Sequence, residues 1–392
     1  MNIGIFTDTY DPKINGVVTS IRTLEQELTS LGHNVYIFTT SPSKGFQRRA
    51  NVYYIPSMPL AVFADHKVGI LYPPRTLRIV KRLKLDVIHS QTEFSLGLFA
   101  KLAAKRYRIP HVHTYHTMYE DYVHYLSKLK LFNISEGFAR KYSKLFCNSI
   151  DTIIAPTEKT RNFLTSYGIT KPIRVIPTGI SFEPFKKSSF NPADTENLRA
   201  QYGITRDQPV IVFVGRLAKE KSVDVVIRAI PELLTKMPEA RLFIVGNGPA
   251  MSELKALAAE LEISHAVIFS GEQKWDEIGR FYQVGDVFVS ASTTETQGLT
   301  FAEAMAGGIP VIAKKDDSTA GLLEDRINGR IFTEDNQLSQ IFYDLLSDKV
   351  QQEALVKQAY ISVEQFSSET FGRSVERLYS ELGTVPLQHT EV

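Results

Sequence analysis

Short apolar runs of strand length alternate with helix-length amphipathic stretches along this chain, and that alternation limits its fold more than any other feature. In the first half the strand-like runs are Asn2 to Thr7, Asn34 to Thr39, Asp86 to Ser90, Pro110 to Tyr115, Asp151 to Ala155 and Ile173 to Ile176, with helical Val17 to Leu31 between the first two. Strands separated by helices cannot pair as tight hairpins; they line up as a parallel sheet covered by helices on both faces. The pattern then begins again with Pro209 to Gly215, Arg241 to Gly246, Ala266 to Ser270, Val287 to Ser290, Pro310 to Ala313 and Gly329 to Phe332. The expectation is an α/β protein of two Rossmann-like, doubly wound parallel-sheet domains. The first covers residues 1–180 and the second 209–364. Residues 181–208, with Pro184, Lys186, Lys187, Ser188, Ser189, Asn191 and Pro192 and no sustained apolar period, are expected to be a linker. Residues 365–392 are expected to give a helix and tail that return to the first domain.

A length of 392 residues exceeds what one hydrophobic core usually fills, and 43% apolar content is enough for two. The longest apolar runs fall far short of the ~20 residues of a membrane-spanning helix. The start of the chain lacks the basic, apolar, small-residue order of a signal peptide. A cytoplasmic protein, soluble or peripheral on a membrane, is expected. The lone cysteine, Cys147, excludes an internal disulfide and any multi-cysteine metal site. Up to Arg174 the chain carries 24 Lys and Arg against 12 Asp and Glu, while the remainder carries 21 against 31. A basic half suits an anionic partner, either phospholipid headgroups or nucleic acid.

In open parallel sheets ligands bind outside the carboxyl ends of the strands, so chemistry is to be sought in the loops there. Pro209 to Gly215 runs straight into Arg216-Leu217-Ala218-Lys219-Glu220-Lys221. Arg216 and Lys221 stand where a diphosphate would lie: Arg grips phosphate oxygens with two parallel bonds and Lys adds a compact charge. Taken alone, they have a plainer alternative, two solvated loop charges. After Val287 to Ser290 comes Glu295-Thr-Gln-Gly298-Leu299-Thr300-Phe301-Ala302-Glu303. Glu295 lies in the loop and Glu303 in the early turns of the following helix, so the pair flanks a helix N-terminus whose free amides and partial positive charge suit phosphate. Two ordinary surface glutamates are the plainer reading; Gly298, which allows close backbone approach, argues against it.

These segments resemble the retaining glycosyltransferases of family four, which have the GT-B fold. The likeness rests on Gly215-Arg216-Leu217 with Lys221, on Glu295 and Glu303, and on Glu303-Ala-Met-Ala-Gly-Gly-Ile-Pro-Val-Ile-Ala. It continues through Asn15-Gly16-Val17, Gly32-His33-Asn34-Val35 and Ile176-Pro177-Thr178-Gly179-Ile180, spanning nearly the whole chain. The resemblance implies two domains facing across a cleft, with the nucleotide-sugar mainly on the second and the acceptor on the first. It implies that Arg216 and Lys221 neutralise the diphosphate beside Gly298, Leu299 and Thr300, that Glu303 binds ribose and Glu295 the donor sugar, and that Asn15, Gly16 and Val17 form a donor and acceptor loop. His116, at the end of Pro110 to Tyr115, corresponds to the family's active-site histidine; His113 is expected to be a packed strand residue.

Thr114-Tyr115-His116-Thr117-Met118-Tyr119-Glu120-Asp121-Tyr122, with Thr7-Asp8-Thr9-Tyr10-Asp11-Pro12, is similar to the bacterial members of the family that glucosylate diacylglycerol. Such enzymes imply UDP-glucose as donor, diacylglycerol as acceptor and an α-linked glycolipid as product. Tyr119 and Tyr122 then line an acceptor pocket, or else pack as ordinary helix residues. In Pro74 to Leu85, Arg75, Arg78, Lys81 and Arg82 fall on one side of a helical wheel and Ile79, Val80 and Leu83 on the other. That helix either lies on an anionic bilayer or packs its apolar face on the sheet. The sequence has no Asp-x-Asp triplet and no His/Cys cluster at metal spacing, which predicts transfer without an obligate metal or other cofactor. Two rivals remain. One is a family member with another lipid-linked or soluble glycan acceptor; the other is a non-catalytic basic module for membranes or nucleic acid, disfavoured because no nucleic-acid motif is present.

Overall fold

The alternation of apolar side chains along Asn2–Thr7 (β1) puts Ile3 and Ile5 on one face of a sheet and Phe6 on the other, and all three are wholly buried. A computed structural model describes residues 1–10, 16–41, 45–60, 63–69, 74–116, 136–293, 295, 297–316, 319 and 321–384. The chain forms two units, one from Met1–Gly179 together with the segment from Ser368 onward, the other from Ile180–Ser367.

In the first unit the remaining strands are β2 (Asn34–Thr40), β3 (Gln47–Arg49), β4 (Val52–Ile55), β5 (Ser57–Leu60), β6 (Phe63–Gly69), β7 (Val87–Ser90), β8 (His111–Thr114), β9 (Thr152–Ala155) and β10 (Ile173–Val175). The main sheet has the order β10-β9-β8-β7-β1-β2-β4-β3 and is parallel except for β3, which runs antiparallel to β4. Strands β5 and β6 make a separate antiparallel pair. Because β1 lies between β2 and β7, the connections from these strands leave in opposite directions and open a crevice at their carboxyl ends. On one face, Ile3 and Ile5 pack with Ile21, Leu24 and Leu28 of helix Gly16–Ser30. On the other, Phe6 and Ile88 pack with Val80 of helix Pro74–Leu83 and with Phe99, Ala100 and Ala103 of helix Ser95–Tyr107.

The last helix, Ser368–Thr384, belongs to this first unit. Phe371, Val375, Leu378 and Tyr379, at the i, i+4, i+7, i+8 spacing of one helical face, join the cluster around Ile21 and Leu24. Burying each side chain of that size contributes roughly 1.5–3 kcal/mol, which is what holds the chain's last segment to its first.

The second unit has six parallel strands: β11 (Val210–Val214), β12 (Arg241–Val245), β13 (Val267–Gly271), β14 (Val287–Ser290), β15 (Val311–Lys314) and β16 (Arg330–Phe332), in the order β13-β12-β11-β14-β15-β16. Its switch point lies between β11 and β14. Every residue of β11 and β14 is buried, as a strand covered on both faces requires.

Residues 181–208, expected as a linker, instead belong to this second unit. Phe185, Leu198 and Ile204 are buried in its core, and helix Pro192–Gln201 starts at Asn191, whose side chain accepts the Ala193 amide at 3.0 Å. The buried Arg199 donates to the Val284 carbonyl at 3.1 Å and also to that of Gln208. The apolar residues enter the core singly, at intervals that match neither a helix nor a strand period, so no pattern announced them. Among the described residues no helix is long and apolar enough to cross a membrane.

Candidate functional site

In the second unit the loops after β11 and β12 lie against each other, backbone to backbone. Leu217 donates its amide to the Asn247 carbonyl and the Ala250 amide donates to Leu217, both at 3.0 Å. A Cβ on Gly246 would overlap the Gly215 carbonyl oxygen, and one on Gly248 the Leu217 carbonyl oxygen. Gly246 has φ +134°, open only to glycine. Two loops without side chains between them form a rigid floor that leads from Gly215 into Arg216 and the 3-10 turn Lys219–Lys221.

The loop after β14 enters helix Leu299–Ala306 through Gly298, which caps it at φ +70° with no side chain to fill the first-turn amides. The first turn also carries no acidic residue. The helix therefore presents amides and the positive end of its dipole beside the β11/β14 switch point, a ready anion seat.

Lys221 Nζ and Glu295 Oε1 are 2.5 Å apart, joining the two loops that flank this switch point. Ser292 Oγ donates to the Glu220 carbonyl at 3.4 Å, a second tie between them. Arg216 is exposed, its carbonyl accepts the Ala218 amide at 3.1 Å, and its guanidinium has no partner among the described residues. Glu303 is partly buried, and Tyr282, on helix Ile278–Tyr282, donates its hydroxyl to Glu303 Oε2 at 2.6 Å. Burial pushes the Glu303 carboxyl up to about 6, against the opposing Tyr282 hydrogen bond; burial and the facing Glu303 push the Tyr282 phenol well above its ordinary value.

In the first unit the carboxyl ends of β1, β7 and β8 gather a polar cluster. Asp8, just past β1, accepts hydrogen bonds from Thr92 Oγ1 at 2.7 Å, from Ser95 Oγ, and from the Leu96 amide at 3.1 Å, which caps helix Ser95–Tyr107. Burial raises its carboxyl above the usual range, while Ser95, Thr92 and Leu96 pull it down. Glu93, 3% exposed, sits 3.1 Å from His113 Nε2, and Tyr142 donates to the Glu93 carbonyl at 2.6 Å.

His116 Nε2 lies 2.6 Å from Gln91 Oε1. Gln91 Nε2 is 3.1 Å from His89 Nε2, and His89 Nδ1 is 2.6 Å from the Tyr379 hydroxyl. Burial, reinforced by the neighbouring His113 and opposed by Glu93, pushes His116 down to about 4; burial also holds His89 well below the ordinary imidazole range and His111 at about 3. His116 and His89 are therefore neutral imidazoles at neutral pH.

The sequence-derived residues divide between the two units. Arg216, Lys221, Glu295, Gly298, Leu299, Thr300 and Glu303 all lie on the loops after β11 and β14 or on the helix that follows, and Lys221 binds Glu295 directly. His116 follows β8 in the first unit. Gly16 and Val17 open helix Gly16–Ser30 after β1, with Gly16 exposed and Val17 packed at the edge of the core. Asn15, Tyr119 and Tyr122 lie outside the described residues. His113 is fully buried within β8, but it has a carboxyl partner there, Glu93. Arg75, Arg78, Lys81 and Arg82 are exposed, whereas Leu77, Ile79, Val80 and Leu83 pack into the core beneath their helix. Of the two readings of that helix, the apolar face is taken by the sheet. Gln91, Glu93, His89 and Tyr282 escaped the sequence reading, and Asp8 entered it only within a motif, without a role. Their position just after a strand was a usable signal for Asp8, Gln91 and Glu93; for Tyr282, inside a helix, there was none.

The sequence profile of Glycosyltransferase Family 4 matches residues 14–183, and that of Glycosyl transferases group 1 matches residues 194–362. The chain is 37% identical over 383 residues to the alpha-monoglucosyldiacylglycerol synthase of Streptococcus pneumoniae, covering 97% of this chain and 85% of that one. It is also 37% identical over 388 residues to the enzyme of the same name from Acholeplasma laidlawii, covering 97% of both. Among solved structures, Anabaena HepE in complex with UDP-glucose superposes with a TM-score of 0.74 at 18% identity, over 97% of this chain and 99% of that one. A glycosyltransferase from Rickettsia africae gives 0.76 at 18% identity, over 98% and 100%. At that identity the likeness concerns the fold, which is GT-B.

Proposed function

The chain belongs to the family 4 glycosyltransferases, and from that premise we propose that it is a retaining hexosyltransferase that moves glucose from UDP-glucose to the 3-hydroxyl of 1,2-diacylglycerol, giving the α-linked monoglucosyl lipid. One observation carries this reading. In a chain related along nearly its whole length to two monoglucosyldiacylglycerol synthases, the β11/β14 switch point of the second unit combines an uncapped helix start with Lys221, Glu295 and Glu303.

The donor's charge is met by three features of one loop system. Arg216, exposed and unpaired among the described residues, and Lys221 take the diphosphate, and the amides following Gly298 complete its seat. Glu303 accepts from the ribose hydroxyls and Glu295 from the glucose hydroxyls. In the reaction the bond between the anomeric carbon and the β-phosphate oxygen breaks. The acceptor oxygen bonds to the same face of that carbon, and its proton passes to the departing phosphate oxygen. Cations and helix dipole stabilise the charge that grows on UDP, so no separate general base and no obligate metal are needed. His116, a neutral imidazole, orients the glucose beside the reacting carbon. Arg75, Arg78, Lys81 and Arg82 hold the enzyme to anionic headgroups on the cytoplasmic membrane face, where diacylglycerol is found.

The deciding experiment offers UDP-glucose, UDP-galactose and GDP-mannose in turn to diacylglycerol in vesicles, with and without anionic lipid and with and without EDTA. The expected result is α-glucosyl lipid from UDP-glucose alone, undiminished by EDTA. Transfer to a soluble glycan in preference to diacylglycerol overturns the acceptor assignment, and no release of UDP under any condition overturns the enzyme.

A further inference from the structure

The polar chain that ends at His116 begins at Tyr379 on helix Ser368–Thr384, 290 positions along the sequence from His89, the residue it contacts directly. It runs Tyr379 Oη, His89 Nδ1, His89 Nε2, Gln91 Nε2, Gln91 Oε1, His116 Nε2, with contacts of 2.6, 3.1 and 2.6 Å. Tyr379 is 2% exposed, His89 wholly buried and Gln91 3% exposed, so water does not compete for these bonds.

An amide side chain in such a chain fixes direction, because its oxygen can only accept and its nitrogen can only donate. With Gln91 Oε1 against His116, the His116 Nε2 must carry the proton. With Gln91 Nε2 against His89, the His89 Nε2 must be the acceptor, which puts the His89 proton on Nδ1, donating to Tyr379. Thr114 Oγ1, 2.7 Å from His89 Nε2, donates to the same lone pair.

We propose that Gln91 is a positioning residue, anchored through His89 to Tyr379, that holds His116 as the neutral imidazole protonated on Nε2, leaving Nδ1 to accept a hydroxyl of the donor sugar. This rests on the assignment of His116 to the sugar. It adds that the tautomer is set by residues outside the donor site and that the carboxyl-terminal helix is part of the device. The low basicity of His116 and His89 fits, since a protonated ring would donate from both nitrogens and break the direction of the chain. The titratable groups around His116 are His113 of β8, Glu93 of the loop after β7, and His89 of β7.

The test uses the full chain labelled with 15N-histidine. Side-chain 15N spectra, with the His116 signal identified by its loss in His116→Ala, are expected to show Nε2 protonated and Nδ1 bare in the wild type. In Gln91→Leu they are expected to show a mixture of tautomers. Turnover of Gln91→Leu should fall about 10²-fold, as for a misplaced reacting group, with the KM for UDP-glucose within about twofold and an unchanged melting temperature. Tyr379→Phe, which deletes only the anchoring hydroxyl, should lose turnover in the same sense but less. Gln91→Glu keeps an acceptor for Nε2 and adds a charge. It should recover turnover above pH 7 and shift the acid limb of the pH profile upward, because the carboxylate raises the His116 pKa from its low value. A wild-type His116 protonated on Nδ1, or wild-type turnover in Gln91→Leu, overturns the proposal. If the wild type transfers no glucose to diacylglycerol, the functional reading fails while the spectra still decide the tautomer.

Discussion

Lys221 and Glu295 are bound to each other at 2.5 Å, so the two side chains assigned to the diphosphate and to the sugar neutralise one another before any donor arrives. Both are partly buried, with 25% and 17% of their side chains exposed, and each is held where it is by the other. A diphosphate entering this site competes with Glu295 for the lysine.

That competition separates the two substitutions. Lys221→Ala removes a phosphate partner and leaves the carboxylate that competes with the diphosphate, so UDP affinity measured by calorimetry should fall at least about tenfold, the loss of a charge-assisted bond. Glu295→Gln frees Lys221, so UDP should bind as well or more tightly, while turnover with UDP-glucose falls roughly 10²-fold because the sugar is no longer held. Equal loss of UDP affinity in both variants would mean that the pair binds the nucleotide as a unit and that Glu295 does not belong to the sugar.

Glu303 makes a prediction about pH. Its carboxyl is raised to about 6 from the ordinary 4.5, chiefly by burial, so the folded protein binds this proton more tightly than the unfolded chain does. The associated stability is present below pH 4.5 and is lost as pH rises through about 6. Glu303→Gln, which cannot ionise, should therefore raise the melting temperature above pH 7, by an amount corresponding to ~2 kcal/mol or less. Its UDP affinity should be weaker than wild type and flat between pH 5 and 8, where the wild type loses affinity on the acid side. A variant no more stable than wild type at pH 8 would show that Tyr282, not burial, governs this carboxyl.

What the sequence made legible follows from what periodicity encodes. A parallel strand buried on both faces is a short apolar run, so Val287–Ser290 was delimited to the residue and β11 and β12 to within one at either end. Arg216, Lys221 and Glu295 could be picked out as candidates because a strand's carboxyl end is visible in sequence and ligands gather there. The antiparallel pair β5–β6 and the second-unit packing of 181–208 were missed, since neither repeats a pattern. Hydrogen bonds between distant side chains leave no local trace: nothing around Tyr282 announces Glu303, and nothing around Tyr379 announces His89. The family likeness supplied a role for His116; only the geometry supplied its neighbours.

Gly248 tests the floor beneath the proposed donor site. A Cβ there meets the Leu217 carbonyl, a backbone atom held on the other side by the Ala250 amide, so relief requires moving one loop away from the other. Gly248→Ala should destabilise the protein by about 1–3 kcal/mol, the usual cost of overpacking, read as a lower melting temperature. It should also weaken UDP binding more than its distance from any proposed phosphate contact would suggest, because Arg216 hangs from the displaced loop. Gly203→Ala provides the comparison. Its φ of +72° is strained for alanine, yet no atom lies within 4 Å of the added Cβ, so it should cost stability without affecting UDP.

The helix Pro74–Leu83 distinguishes a surface held by charge from one that inserts. Thr76 and Val80 are buried, Leu77, Ile79 and Leu83 pack on the same core, and Arg75 stacks over Phe46 at 4.3 Å, so this helix has no spare apolar face for a bilayer. Four exposed cations remain, each contributing roughly 1 kcal/mol at an anionic surface within a Debye length. Replacing Arg75, Arg78, Lys81 and Arg82 together by Gln should therefore weaken sedimentation with vesicles rich in phosphatidylglycerol by at least about a hundredfold in affinity. The same change should leave binding to phosphatidylcholine vesicles alone. Raising salt to about 0.5 M should bring wild type and variant together, because the screening length then falls well below its physiological value. Loss of binding to neutral vesicles in the variant would mean that the helix inserts after all, and that its packing on the sheet gives way at the membrane.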